Sequence, residues 1–340
     1  MDRSREEIWQ VLDSRSIGGI ETHVLHLSTA LHRAGWPVRV LFLADHGPHP
    51  VRERLSRAGV AAECLDGSFS DLLAALKRVP RLVHTHGYKA GILGRLACRI
   101  RGIPIVSSFH AGEPGRGRVR LYNFLDGLSA PLATGIAASH DIAGRIIGTA
   151  TIIPNFVPLP EVAPPSRERA VTFVGRLSGE KGADIFCSLA TRFPGLRFDI
   201  CGDGPLRSSL QATSGSNVRF LGRVDDMEDR WRHYGLLCMP SRHEGMPLAA
   251  LEAMAHGVPV AAFAVGDLPR LIETGRNGWL APPGDLDALA KVIDDWSRRA
   301  EPARTSDAAE ARRTVEERFS PAAVLPRFLS VYDQLGRAAG

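Results

Sequence analysis

Residues 237–259 read LCMPSRHEGMPLAALEAMAHGVP. An apolar run that ends at Met239 predicts a short buried strand, and a polar loop follows it. Residues 247–255 are rich in Ala, Leu, Met and Glu, which favours a helix with a proline in its first turn. Gly257 and Pro259 then supply the stop signal of that helix. The stretch therefore predicts a strand, a loop and a helix in direct succession.

Two carboxylates of this stretch, Glu244 and Glu252, lie eight residues apart, the first in the loop and the second inside the helix. The start of a helix presents unpaired amides and a partial positive charge, which suits a phosphate, whereas carboxylates accept hydrogen bonds from sugar hydroxyls. A ligand with hydroxyls and a diphosphate fits both. The residues predicted to present the helix start to it are Gly245, Met246, Pro247 and Leu248.

The frame PS-x-x-E-G-x-P-L-x-x-L-E-A-M-A-x-G-x-P-V closely resembles the donor site of the family 4 retaining glycosyltransferases of the GT-B fold. Without the frame, Glu244 and Glu252 would be two solvated charges at a helix start. With it, the resemblance implies that Glu244 holds the hydroxyls of the donor sugar and that Glu252 binds the ribose. The resemblance spans essentially the whole chain and is most specific at residues 171–182 and 240–259.

Composition limits the class of protein. The chain has 340 residues, of which 44% are hydrophobic and 23% charged, as in ordinary globular proteins of two domains. No apolar run is long enough to span a membrane, and residues 1–10 lack the apolar centre of a signal peptide, so we expect a cytoplasmic protein. The five cysteines form no C-x-x-C pair, and we interpret them as core residues.

The net charge is +5, and only four of the 42 basic residues are lysines. No basic tract with interleaved aromatic residues is present, so nucleic-acid binding is not predicted. A basic surface that contacts an anionic membrane peripherally is one interpretation, and arginine bias from gene composition is the other. The arginine-rich loop at residues 113–118 is either a holder for an anionic acceptor, through Arg116 and Arg118, or a solvated loop.

The first half alternates short apolar runs with amphipathic segments, which predicts a doubly wound parallel sheet. A strand at residues 8–12 leads into a glycine turn and a helix at residues 22–34. Gly18 and Gly19 in that turn let the backbone approach a ligand closely. The turn is not G-x-G-x-x-G, so no dinucleotide is predicted. It resembles the first loop of the glycosyltransferase family, which lies against the donor phosphates and the acceptor.

Two predicted strands of the first half end in histidines, and ligands of such sheets sit at these strand ends. By resemblance, His110 contacts the donor sugar near the reacting carbon, while His86 is placed nearer the acceptor or in a structural role. His84 and His86 share a strand face and could bind a metal, but no third ligand is evident in the sequence.

In the second half, residues 175–182 read GRLSGEKG and follow a predicted buried strand at 171–174. Arg176 and Lys181 would bracket a diphosphate there, the arginine as a fork and the lysine as a point charge. The string resembles the phosphate-clamp loop of the family. The same resemblance places Gly202 and Gly204 close to the nucleotide and the backbone of Val224 at the base.

No metal is predicted in the donor site. Asp285 and Asp287 form a D-x-D, but they open a helix after Pro-Pro-Gly, which helix capping explains. We therefore expect no required cofactor and a nucleoside-diphosphate sugar, with uracil, guanine or adenine as its base, as the donor substrate. Residues 277–280, NGWL, resemble a hairpin of the family.

The α/β pattern predicts two Rossmann-like domains, and the resemblance implies that they form a GT-B fold whose parallel sheets face a central cleft. The expected domains are residues 1–155 and 169–319, joined by a linker at 156–168, with a last helix at 320–337 that packs back on the first domain. The expected enzyme is a retaining transferase that moves a sugar to an acceptor hydroxyl on a glycan, a lipid-linked sugar or a small molecule. The alternatives are a nucleotide-sugar epimerase or hydrolase of the same shape and a catalytically inactive binding subunit.

Overall fold

A computed structural model of the protein describes residues 7–110, 118–160 and 169–338. The chain divides into two units, one formed by Met1–Phe156 with Pro321–Gly340 and the other by Val157–Ser320. Most of the predicted linker, at residues 161–168, and nearly all of the arginine-rich loop, at residues 113–117, lie outside the described residues.

The first unit contains a seven-stranded parallel sheet with the order β3-β2-β1-β4-β5-β6-β7. Its strands are β1 (Ile8–Leu12), β2 (Val38–Phe42), β3 (Ala61–Cys64), β4 (Leu82–His86), β5 (Ile105–Phe109), β6 (Thr134–Ala137) and β7 (Ala150–Ile152). Its helices are α1 (Gly19–Arg33), α2 (Pro50–Arg57), α3 (Phe69–Ala75), α4 (Tyr88–Arg101), α5 (Arg118–Ser129), α6 (His140–Ala143) and α13 (Pro321–Ala338).

Strand β1 shows why this sheet is covered on both faces. Successive side chains of a strand point to opposite faces, and all five residues of β1 are buried. Ile8 and Leu12 join the core cluster that includes residues of α1 and α13, while Trp9 and Val11 join the cluster that includes residues of α3 and α4. Gln10, on the same face as Ile8, is a fully buried polar residue in the middle of the strand.

Helix α13 completes the first of these two clusters. It contributes Phe328 and Tyr332, both fully buried, and packs beside α1. The C-terminal segment thus supplies core side chains to the N-terminal sheet, and its removal would expose a large apolar surface.

The second unit contains a six-stranded parallel sheet with the order β10-β9-β8-β11-β12-β13. Its strands are β8 (Val171–Val174), β9 (Phe198–Cys201), β10 (Val218–Gly222), β11 (Leu236–Met239), β12 (Val260–Phe263) and β13 (Gly278–Ala281). Its helices are α7 (Ala183–Thr191), α8 (Arg207–Thr213), α9 (Leu248–Ala255), α10 (Leu268–Leu271), α11 (Leu286–Ser297) and α12 (Glu301–Arg318). This is the Rossmann strand order, so both units are α/β with parallel sheets, as predicted.

Three local predictions are corrected. Residues 277–280 form no hairpin, because β13 pairs in parallel with β12 after α10 has carried the chain back. Helix α9 begins at Leu248, with Pro247 as its N-cap in an extended conformation. Helical periodicity in the sequence also predicts a helix at residues 141–147, but α6 ends at Ala143, just before Gly144.

Two expectations of small features hold. The side chain of Asp285 accepts a hydrogen bond from the Ala288 amide at 2.9 Å, so the D-x-D begins with a helix cap. All five cysteines are free thiols, and four of them are buried.

Of the helices in the described ranges, each is too short or too polar to cross a bilayer.

Candidate functional site

The strand order of the second sheet reverses between β8 and β11, which are neighbours although two strands separate them in the chain. Ligands of doubly wound sheets bind at the carboxyl ends of the strands that flank such a reversal. The loops that leave these two ends are residues 175–182 and residues 240–247, the two segments whose motifs were the most specific in the sequence. The fold therefore brings the predicted phosphate-clamp loop and the predicted sugar-binding loop to one point.

Lys181 and Glu244 meet at this point. The ammonium of Lys181 donates to both carboxylate oxygens of Glu244 at 2.9 Å each. The Glu244 side chain is only 5% exposed, whereas that of Lys181 is 31% exposed, so the carboxylate depends on the lysine for its charge balance. The sequence predicted separate roles for these residues and gave no sign that they form an ion pair.

Glycines bring the loops closer than any other residue would permit. Gly182 has φ +71°, and a Cβ built on it would lie 2.0 Å from the carbonyl oxygen of Pro240. Gly266 has φ +57°, and its Cβ would lie 2.1 Å from the carbonyl oxygen of Glu244. Both positions require glycine for space and for backbone conformation. The sequence interpretation had assigned a role to neither.

Gly202 and Gly204, which the sequence assigned to nucleotide binding, also serve this packing. A Cβ on Gly202 would lie 1.8 Å from the Gly175 carbonyl oxygen, and one on Gly204 would lie 2.5 Å from that of Leu177. The Gly202 amide donates to Gly222 at 2.7 Å, which ties the loop after β9 to the end of β10. Val224 follows that end and is half-buried against the adjacent core.

Arg242 is a structural element of the site that the sequence interpretation missed. Its guanidinium donates to both oxygens of Asp184 at 2.9 and 2.7 Å and also to the carbonyl oxygen of Gly179. Its backbone amide donates to Glu180 at 2.8 Å. Arg242 therefore holds the loop after β11 against the loop after β8. A signal existed in the sequence, since an arginine stands two residues before Glu244.

The start of helix α9 lies in the loop that carries Glu244. Met246, Pro247 and Leu248 are buried there, and the carbonyl oxygen of Gly245 accepts a hydrogen bond from the Asp267 amide at 3.0 Å. Proline has no N–H, so Pro247 cannot donate to a phosphate as the sequence interpretation implied. The donors at this helix start are the backbone amides of the first turn, beginning with that of Leu248.

The remaining predicted donor-site residues are accessible to a ligand to different degrees. Arg176 is exposed, and Glu252 is half-buried on α9. A hydrogen bond from Ser178 and the positive charges of Arg176 and Lys181 lower the pKa of Glu180, so the loop after β8 holds a carboxylate among its cations.

In the first unit, Gly18 and Gly19 mark the start of α1. Gly18 is the N-cap and Gly19 the first helical residue, three positions before the predicted start. Both are exposed, and a Cβ on Gly19 would meet nothing within 4 Å. Packing within the protein therefore does not require glycine at position 19, and the predicted close approach of a ligand to this backbone stays a prediction.

The first sheet reverses its order between β1 and β4, and histidines gather at that end. His86, the last residue of β4, donates from Nε2 to Gln10 at 2.7 Å, and its Nδ1 lies 3.1 Å from Nε2 of His110. His84 is held differently, with Nδ1 2.8 Å from the hydroxyl of Tyr332 and Nε2 2.8 Å from that of Ser108. His84 is thereby a fixed core residue.

The structure adds a histidine that the sequence interpretation missed. His23 of α1 is 2% exposed, and its ring lies 4.6 Å from that of His110 and 5.4 Å from that of His86, centre to centre. His84, with His86, had been considered as a metal ligand without a third partner. The group that actually converges is His23, His86 and His110, whose ring nitrogens lie within 4.8 Å of one another.

These histidines are kept neutral by their surroundings. Burial lowers the pKa of His110 to about 4. Burial first, and then the neighbouring imidazoles, lower the pKa values of His23 and His86 well below the ordinary value. At neutral pH the rings are hydrogen-bond donors and acceptors and not cations.

Comparison with known proteins gives two family matches. The sequence model described as "Glycosyltransferase Family 4" matches residues 17–159, and the one described as "Glycosyl transferases group 1" matches residues 168–298. The first match lies in the first structural unit apart from residues 157–159, and the second match lies entirely in the second unit.

Two curated enzymes are similar in sequence. The Escherichia coli UDP-Gal:alpha-D-GlcNAc-diphosphoundecaprenol alpha-1,3-galactosyltransferase is 29% identical over 63% of this chain and 66% of that enzyme. The Streptomyces fradiae 2-deoxystreptamine N-acetyl-D-glucosaminyltransferase is 28% identical over 93% of this chain and 88% of that enzyme. Among solved structures, Anabaena Alr3699/HepE in complex with UDP-glucose matches 96% of this chain and 99% of its own with a TM-score of 0.83 at 20% identity, which shows a shared fold.

Proposed function

Because the chain belongs to the family 4, group 1 glycosyltransferases, we propose that it transfers a sugar from a nucleoside-diphosphate sugar to an acceptor hydroxyl, with retention at the anomeric carbon. The observation that carries the proposal is the contact between Lys181 and Glu244 at the reversal point of the second sheet. It places a cation for phosphate and an acceptor for sugar hydroxyls side by side.

The chemical task is to stabilise a leaving diphosphate and a sugar with oxocarbenium character. An ammonium has three N–H donors, and Glu244 takes two of those of Lys181, which leaves one for a phosphate oxygen. Arg176, exposed in the same loop, and the first-turn amides of α9 supply further positive potential. Together these groups offset the charge that grows on the leaving group.

Three side chains position the donor in this proposal. Glu244 accepts hydrogen bonds from the sugar hydroxyls, and Glu252 accepts them from the ribose. His110, neutral at the working pH, orients the reacting sugar or the acceptor. As the family resemblance implies, the leaving phosphate itself takes the proton of the acceptor hydroxyl.

The acceptor we propose is lipid-linked and is met at an anionic membrane surface. The relatives differ on this point, since the E. coli enzyme is named for a diphosphoundecaprenol acceptor and the S. fradiae enzyme for 2-deoxystreptamine. What favours the lipid is the surface of the first unit. Among the described residues, all the large apolar side chains that are strongly exposed belong to that unit.

Helix α5 carries the largest group of these side chains. Leu121, Phe124, Leu125 and Leu128 follow helical spacing along one face and are 58%, 63%, 37% and 62% exposed. The opposite face packs on α4, where Asp126 accepts from Arg95 at 2.9 Å. Exposed apolar stripes of this kind mark interaction surfaces.

The basic residues around α5 favour contact with an anionic surface. Arginines stand at positions 116, 118 and 120, before and within its first turn, and the chain as a whole has a net charge of +5. Basic residues beside an apolar helix face favour anionic lipids.

The donor is tested by thermal melting of the protein with UDP, GDP or ADP. Ligand at about 100 times its dissociation constant adds roughly 2.7 kcal/mol, or a few degrees in Tm. We expect one nucleotide to raise Tm and Glu252→Ala to lose that rise. A chain that melts unchanged with all three nucleotides contradicts the proposal. Retention is read from the anomeric configuration of the first-formed product by NMR, and an inverted product refutes it.

The membrane contact is tested by co-sedimentation with vesicles of anionic or zwitterionic lipid. We expect binding to the anionic vesicles alone and its loss in the double variant Phe124→Ser, Leu128→Ser. The matched control, Phe124→Leu with Leu128→Met, keeps the apolar face and should still bind. Equal binding of the serine variant would assign the surface to another partner.

A further inference from the structure

Three imidazoles that are distant in sequence converge in the first unit. His23 comes from the first turns of α1, His86 ends β4, and His110 follows β5. His23 and His86 are almost fully buried, and His110 is partly exposed, so an ion that arrives from solvent meets His110 first.

The spacing of the three rings matches that of a tetrahedral metal centre. Zinc binds histidine nitrogen at about 2.0–2.1 Å, which places two ligating nitrogens about 3.3 Å apart and two ring centres about 5 Å apart. The nitrogens of His86 and His110 lie 3.1 Å apart. The ring centres of the three histidines lie 4.6, 5.4 and 5.4 Å apart. The ligand nitrogens of all three lie within 4.8 Å of one another, so the side chains have to move closer together for all three to bind one ion.

The hydrogen bonds prepare His86 as a ligand. Its Nε2–H donates to Gln10 Oε1 at 2.7 Å, so its Nδ1 lone pair points at His110. Metal-bound histidines usually donate their other ring N–H to an acceptor that fixes the tautomer in this way. The proton on Nε2 of His110, which is now hydrogen-bonded to Nδ1 of His86, can move to Nδ1 of His110. Coordination then needs a change of tautomer and no net loss of a proton.

His23 is buried with weak hydrogen bonding. Neither of its ring nitrogens has a partner that meets strict hydrogen-bond geometry, and the side chain of Asn155, its polar neighbour, raises its pKa against the larger effect of burial. A buried imidazole in this state is costly unless a ligand uses its lone pair. The neutral form that burial imposes is also the form that binds metal.

We propose that His23, His86 and His110 form a binding site for a divalent transition-metal ion of the zinc type and that its occupancy inhibits sugar transfer. Three imidazoles with an open fourth position suit Zn²⁺, Co²⁺, Ni²⁺ and Cu²⁺ and not Mg²⁺ or Ca²⁺, which prefer oxygen. The inhibitory part rests on the proposed function, because the ion takes the nitrogen of His110 that would contact the sugar or the acceptor.

The binding test uses Co²⁺ as a spectroscopic probe of the metal-free protein. Four-coordinate Co²⁺ absorbs visible light strongly, and we expect one such ion per chain, displaced by Zn²⁺ and unaffected by Mg²⁺. His23→Gln should weaken Co²⁺ binding at least about 100-fold, since even loss of a group that only hydrogen-bonds to a metal ligand costs about 10–100-fold. The control His32→Gln alters an exposed histidine of the same helix and should bind as the wild type does.

If His23→Gln fails to fold, the wild-type protein alone tests the proposed site. Zinc-edge X-ray absorption of the one-to-one complex should show three imidazoles, and a signal dominated by water overturns the site. In transferase assays Zn²⁺ should inhibit the wild type, while His23→Gln, which touches no substrate in the proposed mechanism, should be resistant. Tight Co²⁺ binding without inhibition would keep the metal site and overturn the role proposed for His110.

Discussion

Lys181 donates to both oxygens of the Glu244 carboxylate at 2.9 Å, across 63 positions of sequence. The pair joins the loop after β8 to the loop after β11, so each residue has a structural partner and a proposed ligand at the same time. A change in either residue consequently affects both the fold of the loops and the chemistry.

Lys181→Ala should lower kcat at least about 100-fold, because a group that stabilises charge in the transition state contributes about that much. It should also lower the free energy of unfolding by about 1–3 kcal/mol, because the nearly buried Glu244 loses its partner. The double variant Lys181→Met, Glu244→Gln should recover much of the stability and none of the activity. Urea unfolding and initial rates measure both, and full activity in the double variant would contradict the assignment.

Gly182→Ala should destabilise the second unit by about 2 kcal/mol or more and weaken donor binding. The added Cβ would lie 2.0 Å from the Pro240 carbonyl oxygen, at a φ of +71° that alanine rarely adopts. Gly179→Ala is the matched control in the same loop, since its Cβ would meet nothing within 4 Å. Its free energy of unfolding should change by no more than about 0.5 kcal/mol. Equal effects of the two variants would refute this account of the loop.

Arg242→Ala should raise KM for the donor several-fold and change Tm little. Its ion pair with Asp184 is exposed, and such pairs contribute about 0–1 kcal/mol, but it positions the loop that carries Glu244. Arg192→Ala, which breaks the exposed pair with Asp287, is the control and should leave KM unchanged. An unchanged KM in Arg242→Ala would show that the loop keeps its place without the arginine.

The stability of the protein should fall as the pH drops below about 6.5, the ordinary pKa of histidine in an unfolded chain. Burial lowers the folded-state pKa of His110 to about 4 and those of His23, His84 and His86 well below their ordinary value. The unfolded chain therefore binds more protons in this window, and stability rises with pH through it.

Each such histidine adds up to about 1.4 kcal/mol per pH unit to that slope. Urea unfolding in the metal-free state between about pH 7 and pH 5 measures the slope. His110→Asn should reduce it by close to one proton, whereas His32→Asn, at an exposed position, should not. A slope that is identical in both variants would place the titrating groups elsewhere.

Most of the fold was predictable because its signals are local. Alternation of apolar runs with helical periodicity predicts strands β1 and β8 at their observed bounds, and the last helix to within one residue at each end. Strand β3, with the sequence AAEC, escaped prediction because it is a partly exposed edge strand with no apolar run. Residues 277–280 were misassigned because a short N-G turn looks alike before a parallel strand and in a hairpin.

The sequence proposes members of the candidate donor site but not the contacts between them. Glu244, Glu252, Arg176 and Lys181 could be proposed because their motifs lie within short segments, and their roles stay predictions. Arg242 was missed because the loop that it holds, after β8, is distant in sequence. Gly266 was missed because it follows β12 but packs against the loop after β11. Their roles depend on which strands are neighbours.

The sequence by itself determined the two α/β units, the family and the loops that we propose to bind the donor, because periodicity, glycines and short motifs act over a few residues. Only the tertiary structure decided that Lys181 pairs with Glu244 and that His23 joins His86 and His110. The physical reason is the strand order. A parallel sheet places the ends of β8 and β11, or of β1, β4 and β5, at one edge, and the distance between their side chains follows from packing that no local pattern encodes.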